Sequence, residues 1–181
     1  MTRIILIGYM GAGKTTLGAA LAKATGMSFI DLDLFIEQRF RKSISQIFAE
    51  KGEEEFRRIE QRMLHEVAEF EDVIISTGGG TPCFFDNIDY MNNQGTTVYL
   101  KVPVERLFIR LSIARNKRPL IKEKNDDELR SFIAQQIEKR EPFYSKAAHT
   151  FTADKLEDKE QIANSVEAFC KQFHLRNNTN I

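Results

Sequence analysis

The feature that most limits what this chain can fold into is a short string near its start, "GYMGAGKTT" from Gly8 to Thr16. It lies between the apolar run "RIILI" at Arg3 and a stretch of helical composition. Gly8 to Thr15 spells Gly, any four residues, Gly, Lys and Ser or Thr, the phosphate-loop pattern. The physics of such a loop demands that context. A strand delivers the backbone to a bare turn, and a helix begins where its free N–H groups and positive dipole end face an anion. Gly8, Gly11 and Gly13 let successive amides turn inward, Lys14 can neutralise terminal phosphate oxygens, and the Thr15 hydroxyl can ligate Mg2+. A chance glycine-rich turn is a poor alternative when a strand precedes and a helix follows. The chain is therefore expected to bind a nucleoside triphosphate on an α/β scaffold.

Four further short runs rich in β-branched residues follow: "SFIDL" at Ser28, "DVIIS" at Asp72, "TTVYLK" at Thr96 and "HTFTA" at His149. They alternate with helical periodicity, which predicts βα units on a five-stranded parallel sheet. Phe56, Ile59, Met63, Val67 and Phe70 recur at steps of three or four, one apolar stripe on a helix from Gly52. Ile162, Val166, Phe169 and Phe173 form another near the C-terminus, and "SISQ" from Ser43 reads as a capping box opening a short helix. The length suits one domain, residues 1–176, followed by a frayed tail at 177–181.

With 26 basic and 26 acidic residues the net charge is zero, so no global field draws the chain to nucleic acid or an anionic membrane. The run "IILI" is far too short to span a bilayer. Cys83 and Cys170 fit neither a disulfide framework nor a metal spacing. A soluble, cytoplasmic protein is expected, and His65, His149 and His174, without partner spacing, read as structural.

A phosphate loop alone does not say what is done with the triphosphate. A GTP switch carries Asn-Lys-any-Asp, and the nearest string, "NKRP" at Asn116, lacks the aspartate. A motor ATPase needs a second acidic motif after an apolar strand, and here "DVIIS" runs into "STGGGTP", Ser76 to Pro82. A kinase acting on a small acceptor fits better. Such a site needs cations and carboxylates around the transferred group. Asp31 and Asp33 of "DLD" stand at the carboxyl end of the second strand, where open α/β sheets bind ligands, on one face if the strand persists. Capping of the next helix is the alternative for either. The charged segment 114–127, "ARNKRPLIKEKNDD", reads equally as a solvated connection or a mobile lid.

Taken together in order and spacing, the phosphate loop, "DLD", "GEEEFRRIE" from Gly52, "STGGGTP", "RPLI" from Arg118 and "REPFY" from Arg140 resemble the shikimate kinase family over nearly the whole chain. The resemblance implies a nucleoside-monophosphate-kinase-like fold: a three-layer α/β/α arrangement with a five-stranded parallel sheet and a lid at 114–127. It implies ATP, Mg2+ and shikimate as ligands, and a monomer is expected, since one chain can supply every group. Gly11, Ala12, Gly13, Lys14, Thr15 and Thr16 would then hold the phosphates, with Thr15 and, through water, Asp31 near the metal. Asp33 would hold ring hydroxyls and assist deprotonation, Arg57 and Arg140 would clamp the carboxylate, and Arg118 would reach the phosphates from the closed lid. Arg110 would lie along the adenine. The loop Ala153 to Asp158 lacks the proline often found there in the family.

For Arg57 the spacing equally allows an ion pair with Glu53 or Glu60, and for Arg140 a helix-end charge ahead of Pro142. The amides of Gly78, Gly79 and Gly80 would approach the γ-phosphate and a ring hydroxyl, Gly79 most closely, with Ser76 and Thr77 near the metal's water shell. Two rival readings remain at this point. One is another small-molecule kinase such as a gluconate kinase. The other is a regulator that binds nucleotide without transferring phosphate.

Overall fold

The computed structural model describes residues 2–114 and 121–178. Arg115, Lys117 and Arg118, expected in the lid, lie outside the described residues. Five strands form one parallel sheet: β1 (Arg3–Ile7), β2 (Ser28–Asp31), β3 (Val73–Ser76), β4 (Thr96–Lys101) and β5 (His149–Thr152), in the order β2-β3-β1-β4-β5. Ile4 to Ile7 on β1 and Val73 to Ile75 on β3 are at most 2% exposed, the continuous apolar reading of strands covered on both faces. Each such side chain contributes about 1.5–3 kcal/mol by leaving water.

Among the described residues seven α-helices connect and flank the strands: α1 (Lys14–Thr25), α2 (Leu32–Phe40), α3 (Ile44–Val67), α4 (Asn87–Gln94), α5 (Val104–Ile113), α6 (Asp126–Tyr144) and α7 (Lys159–Gln172). The chain steps one way from β1 to β2 and the other way thereafter. Right-handed crossovers then put α1 on one face and the helices after β2 and β3 on the other. α7 packs beside α1 and α5 beside α6. Leu6 pairs with Ser76 and Asp31 with the same Ser76, so the carboxyl ends of β1, β2 and β3 finish level along one rim. No described helix is long and apolar enough to cross a membrane.

Several expectations shift at element ends. The second strand stops at Asp31 because its carboxylate accepts from the N–H groups of Asp33 (3.1 Å) and Leu34 (3.2 Å) and caps α2. Asp33 therefore stands on the first turn of a helix and not on a strand face with Asp31. Ser43 and Gln46 do form a capping box, but the helix it opens continues into the next one through a kink at Gly52, whose φ of 77° a residue with a Cβ resists. Phe70 does not join the apolar stripe. α3 ends at Val67, Phe70 is 47% exposed, and its carbonyl accepts from Arg3 Nε at 2.9 Å.

α6 runs through Pro142 to Tyr144, so Arg140 is not a helix-end charge ahead of that proline. At the C-terminal side of the charged segment, Ile121 is fully buried and Asn125 opens α6 with a capping box to Glu128. The segment is thus anchored well before Asp127. The tail is tied down as far as Asn178, whose N–H donates to Ala24 O at 2.7 Å and whose amide donates to Thr25 O at 3.2 Å.

Candidate active site

A cleft of about 520 Å³ opens at the carboxyl ends of β1, β2 and β3, where a doubly wound sheet presents loops from strands that diverge. The phosphate loop forms its floor. Gly13 caps α1, and Lys14 is 8% exposed, its Nζ donating to Gly8 O at 2.7 Å and Tyr9 O at 3.0 Å. A buried ammonium held by loop carbonyls at the start of a helix, whose first N–H groups have no side-chain cap, makes an anion cradle. Gly11, Gly13, Lys14, Thr15 and Thr16 line the cleft, whereas Ala12 is buried beneath it, 1% exposed.

Asp31 does two things at once. Besides capping α2, its Oδ2 accepts from Thr15 Oγ1 at 2.6 Å, which brings a hydroxyl and a carboxylate together at the start of α1. Asp33 enters the same cleft. Burial, then the charges of Asp31 and Glu60, push its carboxyl from an ordinary 3.8 up to about 6, with Lys14 pulling the other way.

The glycine run leaves β3 and turns between the phosphate loop and two arginines. A Cβ on Gly79 would stand 3.2 Å from Met10 N and 3.4 Å from Arg140 Nη1, and one on Gly80 only 2.9 Å from Arg57 Nη2. The backbone is bare there because a side chain would displace the guanidinium groups. Arg57 donates to Glu60 Oε2 at 2.8 Å, lies 3.6 Å from Glu53 Oε1, and stacks over Phe84 at 4.1 Å. Its Nε, though buried, has no hydrogen-bond partner among the described residues. Arg140 donates to Gln136 Oε1 at 3.1 Å and lies over the Tyr9 ring at 5.3 Å. Arg57, Arg140 and Gly80 stand behind the cleft wall proper, joined to it through Gly79. Cys83 is half-buried near both arginines, and burial still pushes its thiol up, so it stays protonated.

At the other end Arg110 braces two loops. Its Nη1 donates to Gly11 O (3.3 Å) and Ala12 O (3.4 Å), its Nη2 to Ala153 O (3.2 Å), and Glu157 Oε1 accepts from Nε and Nη2. Ile113 and Leu156 add apolar surface beside it. The loop without a proline thus presents a leucine and a glutamate.

Sequence reasoning did not assign a site role to Glu60 or Tyr144. Glu60 is 1% exposed and holds both Arg57 and Thr81 Oγ1 (2.6 Å); the signal was a glutamate on the buried side of a helix, three residues after an arginine. Tyr144 is fully buried and donates to Gly79 O at 2.6 Å. Its signal was its place one helical turn after Arg140. Thr77, suggested near a metal's water shell, donates its hydroxyl to Leu6 O at 3.1 Å.

The shikimate kinase family model matches residues 10–171. Over 174 residues the chain is 60% identical to a shikimate kinase of Phocaeicola vulgatus, covering 96% of this chain and 99% of that one. The crystal structure of shikimate kinase from Bacteroides thetaiotaomicron superposes with a TM-score of 0.93 at 55% identity, covering 96% and 99% of the two chains. A shikimate kinase from Acinetobacter baumannii in complex with shikimate gives a TM-score of 0.82 at 30% identity, over 96% of this chain and 94% of that one. A five-stranded parallel sheet carrying a phosphate loop, matched along most of its length at such identity, leaves one conclusion: this chain belongs to the shikimate kinase family.

Proposed function

We propose that the cleft transfers the γ-phosphoryl group of ATP to the 3-hydroxyl of shikimate, giving shikimate 3-phosphate and ADP, with the labour divided as follows. The observation that carries this reading is a spatial one: Lys14, Asp33 and Gly79 line one cleft, and Arg140 and Arg57 stand just behind its glycine wall. Donor and acceptor can therefore meet at a single point.

Gly11, Ala12, Gly13 and Thr16 wrap and orient the phosphates, and Lys14 balances charge as it spreads over the transferred group. Arg140 and Arg57 fork the shikimate carboxylate, with Gly79 and Gly80 admitting the ring between them. The 3-hydroxyl oxygen attacks the γ-phosphorus in line, the bond from that phosphorus to the β,γ-bridging oxygen breaks, and the hydroxyl proton passes to Asp33. A carboxylate raised to about 6 is still ionised at neutral pH and is a better proton acceptor than an ordinary aspartate. Arg110, with Ile113 and Leu156, provides the adenine slot. Arg118, outside the described residues, is assigned to the closing lid by family resemblance, with water exclusion as its consequence.

The pair of hard oxygen donors, Thr15 Oγ1 and Asp31 Oδ2, suits Mg2+, Thr15 directly and Asp31 through water. Among the described residues no group of three or more His, Cys, Asp or Glu side chains could hold a metal alone, and Mg2+ ordinarily fills its remaining positions with phosphate oxygens and water. When bound, Mg2+ supplies charge neutralisation on the terminal phosphates. The reading carries with it a cytoplasmic monomer, because both substrates are small polar molecules and one chain supplies every group.

The test is ADP release with Mg-ATP and, in separate reactions, shikimate, gluconate and a nucleoside monophosphate. Stimulation by shikimate alone is expected. Stimulation by gluconate in its place would favour the rival kinase, and none by any acceptor would favour a nucleotide-binding regulator.

A further inference from the structure

We propose that Tyr144 is a positioning residue of the acceptor site, one phenol that sets the spacing between the Arg140 guanidinium and the Gly79 backbone. This rests on the acceptor reading of Arg140 and Gly79 given above. The two residues come from α6 and from the loop after β3, elements joined by nothing local in sequence. Tyr144 crosses that gap. It sits four residues after Arg140, so the two side chains share one helix face. Its Oη donates to Gly79 O at 2.6 Å, and the Arg140 guanidinium bears on the same phenol. A Cβ on Gly79 would stand 3.4 Å from Arg140 Nη1, so all three groups meet at one place.

The phenol is itself held from behind. Its ring packs on Tyr99 of β4 at 5.0 Å, Tyr99 Oη donates to Glu141 Oε2 at 2.8 Å, and Lys101 Nζ donates to Glu141 Oε1 at 2.9 Å. β4 thereby fixes the C-terminal turn of α6, and the turn fixes the phenol. Burial keeps the Tyr144 hydroxyl protonated, so its single proton is committed to Gly79. Losing the oxygen takes this donor from the part-buried Gly79 carbonyl and frees the loop to drift relative to Arg140.

The experiment is Tyr144→Phe, which removes one oxygen and keeps the ring, read as separate KM values for shikimate and ATP with a thermal melt alongside. Shikimate KM should rise about tenfold, the loss of one hydrogen bond at a part-buried carbonyl, while ATP KM stays within about twofold. In an Arg140→Ala background the same change should add little, because the two act through one contact. A shikimate KM unmoved by Tyr144→Phe, when Arg140→Ala raises it, overturns the inference and leaves the acceptor reading standing. Equal rises in both KM values with a lower Tm mean a core residue only, and also overturn it. An unmoved shikimate KM in Arg140→Ala overturns the acceptor reading together with the inference.

Discussion

If Asp33 takes the acceptor's proton as proposed, catalysis and stability pull in opposite directions at that carboxyl, and replacing it with asparagine separates them. Its carboxyl is raised from 3.8 to about 6 by burial and by the charges of Asp31 and Glu60. That rise corresponds to about 3 kcal/mol between the two protonation states. The protonated acid is the form the fold prefers, so the stability it contributes is complete below about pH 4 and is lost as pH rises through about 6. Above that window the substrate-free enzyme carries the cost of an ionised carboxylate among other carboxylates. The cleft is open to water, which screens part of the cost, so about 1–3 kcal/mol is expected to remain.

Asp33→Asn removes the charge at nearly constant size. For a chain of 181 residues, that gain raises Tm by about 3–9 °C at pH 8 and by almost nothing at pH 4. The assay is a set of thermal melts of substrate-free wild type and variant from pH 4 to pH 8, read beside kcat. Turnover should fall by at least about a hundredfold, the usual contribution of a positioned proton acceptor. A Tm gain of the same size at both pH values would mean better packing and not relieved charge. No gain at pH 8 would show that the carboxylate is well solvated, and the account of its raised pKa would fall with it.

Other perturbations probe the remaining parts of the cleft. Arg57→Ala should raise shikimate KM by about a hundredfold or more, as the loss of a charged hydrogen-bonded clamp implies, and leave ATP KM nearly unchanged; equal effects on both would take Arg57 out of the carboxylate clamp. Gly79→Ala puts a methyl group 3.2 Å from Met10 N and 3.4 Å from Arg140 Nη1. Overpacking at that junction should lower kcat/KM by about tenfold or more for both substrates, and unchanged constants would reduce the glycine run to a plain turn. Removing Mg2+ with a chelator should abolish ADP release and restore it on readdition, while the melting temperature of the nucleotide-free enzyme stays put. A fall in that temperature would point to a structural metal instead.

How much of this was legible follows from how far each signal reaches along the chain. The phosphate loop was readable because its residues act on one another within a few positions, and the strand-loop-helix order gave it a context. The end of β2 was not, because a carboxylate that accepts from Asp33 N and Leu34 N competes with strand continuation and wins by satisfying two helix N–H groups. Periodicity likewise carried Phe70 onto a stripe that α3 abandons at Val67, since a spacing pattern has no term for where the backbone turns. Tyr144 and Gly79 are 65 positions apart, and nothing in either string names the other.

Arg57 is the instructive case, because its ion pair and the clamp role proposed for it look like rival readings in sequence and are compatible in space. Glu60 takes one guanidinium nitrogen from the buried side, the Phe84 ring covers the face, and Nε is left without a partner among the described residues. A flexible arginine would have to lose rotamer freedom on meeting a carboxylate; this one has lost it already on folding. The glutamate that looked like the bland explanation is then what gives the arginine a fixed aim.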